Sequence, residues 1–366
     1  HSDLHQIAAG TLDGLSPGAA HNDHGQAIEQ VIAEVRGALP ANEALTAIGH
    51  RVVHGGDTFS RASLIDEGVL STLDSLAALA PLHNPPALAI MRACQKHFPA
   101  LPQVAVFDTA FHHTLPERAR CYPLPQALCQ HHAIRRFGFH GISHGYVARQ
   151  AGEYLGRDNL KLISLHLGNG ASAAAIDSGR CIDTSMGLTP LEGLMMGTRA
   201  GDLDPGIIFH LARNSSLSLT ELETLLTKES GLLGLCGSAD MRDVMSGTES
   251  GDPRALLALD LYTYRVRKYI GAYAAALGGL DALIFTAGIG EHHPTVRARI
   301  CEGLEFLGID LDPERNMATR AIIGPIQREG ATTAVLVVPT NEELEIARQV
   351  RQLLDVTEYA ESSTRV

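Results

Sequence analysis

A chain of 366 residues is long enough for two domains with sizeable cores. Its 45% hydrophobic and 19% charged residues match an ordinary folded protein, and a formal net charge of −12 argues against nucleic acid as a partner, because protein surfaces that bind nucleic acid are usually basic. A small anionic substrate stays open, since two or three arginines in a cleft set a local field against the global sign.

In chain order, Asn22-Asp23 caps a predicted helix carrying Ala27, Ile28, Val31, Ile32, Val35 and Leu39 on one face. Leu45 to Val53 reads as a strand ending at His54-Gly55-Gly56. Helices are expected over Ile65 to Leu79 and Ala87 to His97. The strand Val104 to Phe107 then delivers Asp108, so strands and helices alternate as they do in α/β domains. A second unit begins near Arg118. A helix from Gly145 to Leu155 precedes three short strands, Leu160 to Leu165, Ser172 to Ile176 and Arg180 to Thr184, whose tight turns make a meander.

Asp204-Pro205 starts a helix through Ala212. Thr220-Glu221-Leu222-Glu223 reads as a capping box, with Gly231 as the stop of that helix. Asp252-Pro253 opens a long helix to about Leu277. The most apolar stretch, Gly271 to Gly290, holds Asp281 and a Gly278-Gly279 break, so it reads as a helix end followed by a strand, and no membrane partner is expected. Strands Ala282 to Thr286 and Ala334 to Val338 feed Gly288-Ile289-Gly290 and Pro339-Thr340-Asn341-Glu342. A last helix covers Glu342 to Leu354. Six cysteines without a C-x-x-C spacing read as the reduced thiols of a cytoplasmic protein. Eighteen histidines include three adjacent pairs but no H-E-x-x-H, so a histidine-bound zinc is not expected. Nothing resembles a targeting peptide, and the start at His1-Ser2-Asp3 without Met leads us to expect a missing piece in front.

Three Gly-bearing turns stand beside strand-like runs: His166-Leu167-Gly168-Asn169-Gly170, Gly197-Thr198-Arg199-Ala200-Gly201 and Gly288-Ile289-Gly290-Glu291. Turns with little side chain let backbone N–H groups approach a polyanion, and Arg, His and carboxylates among them are the parts that phosphoryl transfer needs. A lone Gly-x-Gly is usually only a tight turn. The ordered set carries the expectation.

Two blocks are more specific. Gly49-His50-Arg51-Val52-Val53-His54-Gly55-Gly56 and Arg136-Phe137-Gly138-Phe139-His140-Gly141-Ile142-Ser143-His144 resemble the signatures of the acetate/propionate kinases, within the sugar kinase, heat-shock ATPase and actin superfamily. His166 to Gly170, Thr198 to Asp202, Thr286 to Glu291 and Pro339 to Glu343 stand in that family's order. The resemblance implies an α/β fold of two ribonuclease-H-like (actin/sugar-kinase-type) domains with the active site in the cleft between them. The first would take residues 1–112 plus 344–366. The second, nucleotide-binding and dimerising, would take 113–343. One departure is plain: the family opens with a strand and a polar turn carrying an Asn, serines and a Lys, whereas His1 to Gly25 is polar and Gly-rich, so that first strand and phosphate turn are expected to be lacking.

The resemblance also implies roles. Asp108, His140 and Arg199 would be catalytic, with Arg199 bridging the oxygens of the moving phosphoryl group and His140 donating to one of them. Arg51 would hold the substrate carboxylate. Val53, Leu82, Phe139 and Pro190 would form the pocket for the acid's methyl group. A histidine beside two aromatics is ordinarily a satisfied core residue, and an arginine ordinarily a surface ion pair; the surrounding motifs argue otherwise here. A carboxylic acid is already ionised at neutral pH and needs no general base, so Asp108 is expected to orient Arg51 or metal-bound water. ATP would lie against His166, Leu167, Gly168, Asn169 and Gly170, against Asp240, Met241 and Arg242, and against Gly288, Ile289, Gly290, Glu291 and His292. Glu342 would reach Mg²⁺ (or Mn²⁺) through water. The implied reaction is ATP plus acetate to ADP plus acetyl phosphate, by a homodimer. Open alternatives are a kinase for propionate or another short-chain acid, a sugar kinase of the same superfamily, and a non-catalytic nucleotide-binding fragment.

Overall fold

The computed structural model describes residues 4, 21–40, 44–77, 80, 83–318 and 322–363. The chain divides into two compact units, His1–Phe111 with Asn341–Val366, and His112–Thr340.

In the first unit, helix α1 (His21–Ala38) precedes strand β1 (Ile48–Val52), β2 (Ser63–Leu64), helices α2 (Glu67–Ser75) and α3 (Asn84–His97), and β3 (Gln103–Phe107). Helix α2 is capped by Asp66, whose carboxylate accepts from Val69 N at 2.7 Å. It is shorter than the expected 65–79. β3 sits between β1, its parallel partner, and β2, its antiparallel one. All five β3 residues are buried: the apolar run Val104–Phe107 and Gln103, whose side-chain oxygen bonds His50 Nε2 at 2.9 Å. Val52, Leu70, Leu73, Leu88, Met91, Ala105 and Phe107 form the core, and Phe107 stacks on Phe59 at 4.6 Å between centroids.

The second unit starts with two short helices, α4 (Glu117–Arg120) and α5 (Gln126–His131), before α6 (Gly141–Leu155). Strands β4 (Lys161–Leu167), β5 (Ala171–Asp177) and β6 (Arg180–Thr184) make the expected antiparallel meander. Helices α7 (Gly206–Asn214), α8 (Leu219–Lys228), α9 (Gly231–Cys236), α10 (Met241–Glu249) and α11 (Pro253–Leu277) follow. Then come β7 (Ala282–Thr286), α12 (Ala287–His292), α13 (Pro294–Cys301), α14 (Pro313–Met317), β8 (Gly324–Pro325) and β9 (Ala334–Val337). The sheet order is β6-β5-β4-β7-β9-β8, with β7 and β9 parallel to β4 and neighbour. That is a meander extended by parallel crossovers, the ribonuclease-H-like pattern. Helix α11 begins at Asp252 and Pro253 and ends on Gly278 at φ 64°, as its sequence predicts. The last helix, α15 (Glu342–Ser363), packs on β1 and β3 of the first unit, where Gly49 leaves room for Ile346 and Val350.

Several expectations need correction. The capping box of α8 is Ser218 with Glu221, not Thr220 with Glu223: Ser218 Oγ accepts from Glu221 N while Glu221 Oε2 accepts from Ser218 N. Gly231 does not stop α8, which ends at Lys228; at φ 63° it starts α9 instead. Helix α6 begins four residues before the expected Gly145. Gly288-Ile289-Gly290 lies within α12 rather than in an open turn, because Glu291 folds back onto the start of that helix. No described helix is long and apolar enough to cross a membrane.

Candidate active site

The two signature blocks fall in different units, and each builds a cluster of its own. In the first unit, parallel pairing of β1 and β3 brings their C-terminal ends side by side, where α/β sheets place ligands. Arg51 and Asp108 meet there. Arg51 Nη2 lies 2.5 Å from Asp108 Oδ2, and its Nε donates to Asp108 Oδ1 at 3.3 Å. Glu342, at the start of α15, comes within 3.4 Å of the same Nε. The partners differ in exposure: the Asp108 side chain is 1% exposed and that of Arg51 42%. Burial pushes the Asp108 carboxyl up to about 6, against the pull of Arg51. Desolvation works against the Arg51 charge, but Asp108 and Glu342 outweigh it and hold the guanidinium protonated. Glu342, expected at the metal, therefore also touches the expected carboxylate-binding arginine.

Among the described residues, no group of three or more His, Cys, Asp or Glu is arranged to hold a metal ion. Asp108 and Glu342 together still suit Mg²⁺, which takes one or two carboxylates and fills the rest of its shell with water and substrate oxygens. Val53 is half-buried beside this cluster in sequence. Leu82 lies outside the described residues.

In the second unit, His140 stands at the N-cap of α6 in the left-handed region, at φ 56° and ψ 25°. A non-Gly residue there costs on the order of 1–3 kcal/mol, and such strain concentrates at functional sites. Gly138, two residues before it and at φ 76°, is obligatory, because a Cβ would meet Thr184 Cγ2 at 2.5 Å and the His112 ring at 2.7 Å. This tight passage fixes the His140 ring, which stacks on that of His166 at 4.2 Å and bonds Ser172 Oγ through Nδ1 at 2.9 Å.

The loop after β4 folds back on itself, Gly168 N donating to Gly170 O at 3.0 Å. The open face of Gly170 looks onto the Cε1–Nε2 edge of His140 and onto Arg199: a Cβ there would lie 3.4 Å from the histidine and 3.6 Å from Arg199 Nη1. Arg199 is positioned by Pro190, whose carbonyl accepts from Nη1 at 3.1 Å, and by the Met196 sulfur. Among the described residues no carboxylate pairs with it. Burial alone acts on its charge and pulls its pKa down. A half-buried cation beside a bare glycine backbone and a histidine is a cradle for an anion.

The remaining predicted residues fall on surrounding elements of the second unit. Phe139 is buried, its carbonyl accepting from His112 Nε2 at 2.9 Å. Asp240 caps α10 by accepting from Arg242 N at 2.8 Å, and the exposed Arg242 guanidinium pairs back onto it, with Met241 buried beneath. Ile289 and Gly290 are buried in α12, while Gly288 and His292 are exposed. The Glu291 carboxylate turns inward, accepting from Ala287 N at 2.8 Å and Thr340 N at 3.0 Å, so its acid ties the turn together.

Some residues of these clusters had no role in the sequence reading. Ser143 bonds His166 Nδ1 and Thr340, and His144 bonds Ser164 and Ser172. Their spacing in Ser143-His144, one turn beyond His140 on the same helix, was the available signal. Arg136 donates to the carbonyls of Thr184, Ser185 and Met186 and pairs with Glu192, which also accepts from Tyr122; this knot braces the segment that leads to Pro190 and Arg199.

The Acetokinase family profile matches residues 13–348. The acetate kinase of Clavibacter michiganensis subsp. michiganensis is 52% identical over 350 residues, covering 95% of this chain and 88% of that protein. That of Leifsonia xyli subsp. xyli is 55% identical over 334 residues, 90% and 84% of the two chains. Among solved structures, Porphyromonas gingivalis acetate kinase superposes with a TM-score of 0.87 at 43% identity, over 90% of this chain and 85% of that one. A propionate kinase from Francisella tularensis does so with 0.83 at 44%, over 88% and 82%. Signature blocks, strand order and these likenesses together place the chain in the acetate kinase family.

Proposed function

We propose that the protein is an acetate kinase, which transfers the γ-phosphoryl group of ATP reversibly to acetate by direct in-line displacement. An acetate oxygen forms the new bond to phosphorus while the bond from phosphorus to the bridging oxygen of ADP breaks. The acid enters as its carboxylate, so no proton has to be removed. Such a transfer depends on alignment and on neutralising charge rather than on covalent work by the protein.

Arg199 carries the reading: it is a desolvated guanidinium with no carboxylate partner among the described residues, beside Gly170 and His140. Its planar fork matches the equatorial oxygens of a phosphoryl group in flight better than a lysine would. His140 donates to one of those oxygens, and the β4–β5 loop from His166 to Gly170 offers backbone to the phosphates. The 240–242 corner and residues 288–292 of α12 serve the adenosine side. Arg51 binds the acetate carboxylate through the N–H groups that Asp108 leaves available, with Val53, Leu82, Phe139 and Pro190 around the methyl group. Asp108 and Glu342 would hold Mg²⁺ through water, and the ion would supply positive charge to offset that of the phosphates. Propionate and other short-chain acids are slower substrates of the same pocket.

We place the reaction in the cytoplasm, with which six free cysteines agree, and in a homodimer, for which the exposed Leu257, Leu261 and Tyr264 on α11 are the candidate surface. We further take the two compact units as the two domains of the catalytic fold.

Acetyl phosphate trapped as its hydroxamate is the test, with ATP, Mg²⁺ and acetate, propionate or butyrate in turn. Acetate should give the highest kcat/KM. Turnover of glucose or glycerol with none of acetate would replace this reading by a sugar kinase. ATP binding without any acetyl phosphate would reduce it to a nucleotide-binding protein.

A further inference from the structure

Behind His140 runs a buried chain of alternating hydroxyls and imidazoles: Ser164 Oγ to His144 Nδ1 at 2.9 Å, His144 Nε2 to Ser172 Oγ at 2.8 Å, Ser172 Oγ to His140 Nδ1 at 2.9 Å. Ser164, His144 and Ser172 are all 0% exposed. Each hydroxyl has one hydrogen, and a neutral imidazole has one N–H and one lone pair. The direction of every bond in the chain is therefore fixed once one of them is known.

Ser164 decides it. Among the described residues, His144 Nδ1 is its only side-chain hydrogen-bond partner. If His144 donated to Ser164, the serine's own hydrogen would be buried with no acceptor. Orphaned donors are rarer and costlier in folded proteins than acceptors with a spare lone pair. So Ser164 donates to His144 Nδ1. That forces the hydrogen of the neutral His144 ring onto Nε2, which donates to Ser172. Ser172 has then used one lone pair and turns its hydrogen toward His140 Nδ1. His144 stays neutral throughout because burial, with His112 and His166 nearby, drives its pKa far down.

We infer that Ser164, His144 and Ser172 are positioning residues that lock His140 in the tautomer with a lone pair on Nδ1 and the hydrogen on Nε2, the edge that faces Gly170 and Arg199. In the opposite tautomer Nε2 would present a lone pair to the phosphoryl oxygens and repel them. The strained backbone of His140 aims the ring, and the relay sets its proton. This inference rests on the reading of His140 as a phosphoryl contact, but its central claim concerns the ligand-free protein and can be checked without turnover.

Long-range ¹H–¹⁵N spectra of the full chain with labelled histidine, assigned through a His140→Gln variant, distinguish protonated from bare ring nitrogens. His140 is expected with bare Nδ1 and protonated Nε2, and His144 with the same pattern. Finding the hydrogen on Nδ1 of His140, or on both nitrogens, overturns the inference. Ser164→Ala never touches His140, yet should move its ring toward a mixture of tautomers; unchanged His140 nitrogen shifts would count against the relay. Ser172→Ala should lower kcat at least about tenfold with little change in the KM for ATP, since a misplaced tautomer on a catalytic histidine can cost up to about 10⁴ in kcat. An unchanged kcat overturns the relay. If the tautomer is as stated and wild-type protein makes no acetyl phosphate, the relay stands and the kinase reading fails; the reverse result separates them the other way.

Discussion

At the scale of single residues, charge placement decides the expected behaviour. On the proposed reading Arg199 meets the charge that develops during transfer, so Arg199→Ala should lower kcat by about 10³ or more, the range for an arginine that stabilises a phosphoryl transition state. Arg199→Lys should recover only a part, because an ammonium cannot span two oxygens in one plane. An Ala variant within tenfold of wild type in the hydroxamate assay would remove Arg199 from the mechanism. On the same reading Asp108 sets the acid limit. It must be ionised to hold Arg51, and burial pushes its carboxyl up to about 6. The pH profile of kcat/KM for acetate, which reports groups of the free enzyme, should therefore fall as pH drops through about 6. Asp108→Asn should lose that limb along with most of the activity. The effect on stability has the opposite sign: the folded carboxyl binds its proton more tightly than the unfolded one, so its contribution is present below pH 3.8 and is lost as pH rises through about 6. In the proposed pocket Val53 governs acid length. Val53→Ala should move the acetate-to-propionate ratio of kcat/KM toward propionate by about tenfold, the low end of what one methylene is worth (~1–3 kcal/mol). An unmoved ratio would take Val53 out of the pocket.

At the scale of elements, local rules explain most of what formed. Helix α8 rests on its Ser218–Glu221 box, so Ser218→Ala should cost about 1 kcal/mol in denaturant unfolding, while Thr220→Ala should be close to neutral. The reverse order would restore the Thr220 reading. The two hydroxyl-bearing candidates, Ser218 and Thr220, lie two residues apart with an acid three further on in each case, and the sequence pattern fits both; the φ/ψ of Ser218, extended at −69° and 165°, decides. Helix α6 starts at Gly141 because His140 closes it from the left-handed region, which no propensity argument favours for histidine. The 288–290 segment reads as an open glycine turn until Glu291 reaches back to Ala287, whose own φ of 63° is equally unpredictable from composition.

At the scale of the whole molecule, ligand binding should register as stability. Mg²⁺-ATP at about 100 times its Kd adds about 2.7 kcal/mol to any protein that binds it only when folded, so Tm should rise with Mg²⁺-ATP and rise less with ATP in EDTA. A flat Tm across both series would mean that the nucleotide does not bind.

Sequence alone determined the alternation of strands and helices, the meander, both ends of α11 and the two signature blocks, because these follow from hydrophobic period, capping chemistry and glycine placement within a few residues of each other. It also named Arg51, Asp108, His140 and Arg199. It could not say that Asp108 and Glu342 converge on one guanidinium, that Arg199 has no carboxylate partner among the described residues, or that Ser164 and Ser172 stand on either side of His144. Those facts join residues up to 291 positions apart, such as Arg51 and Glu342. Strand register and helix docking bring them together, and a linear pattern of residue types carries no record of that distance.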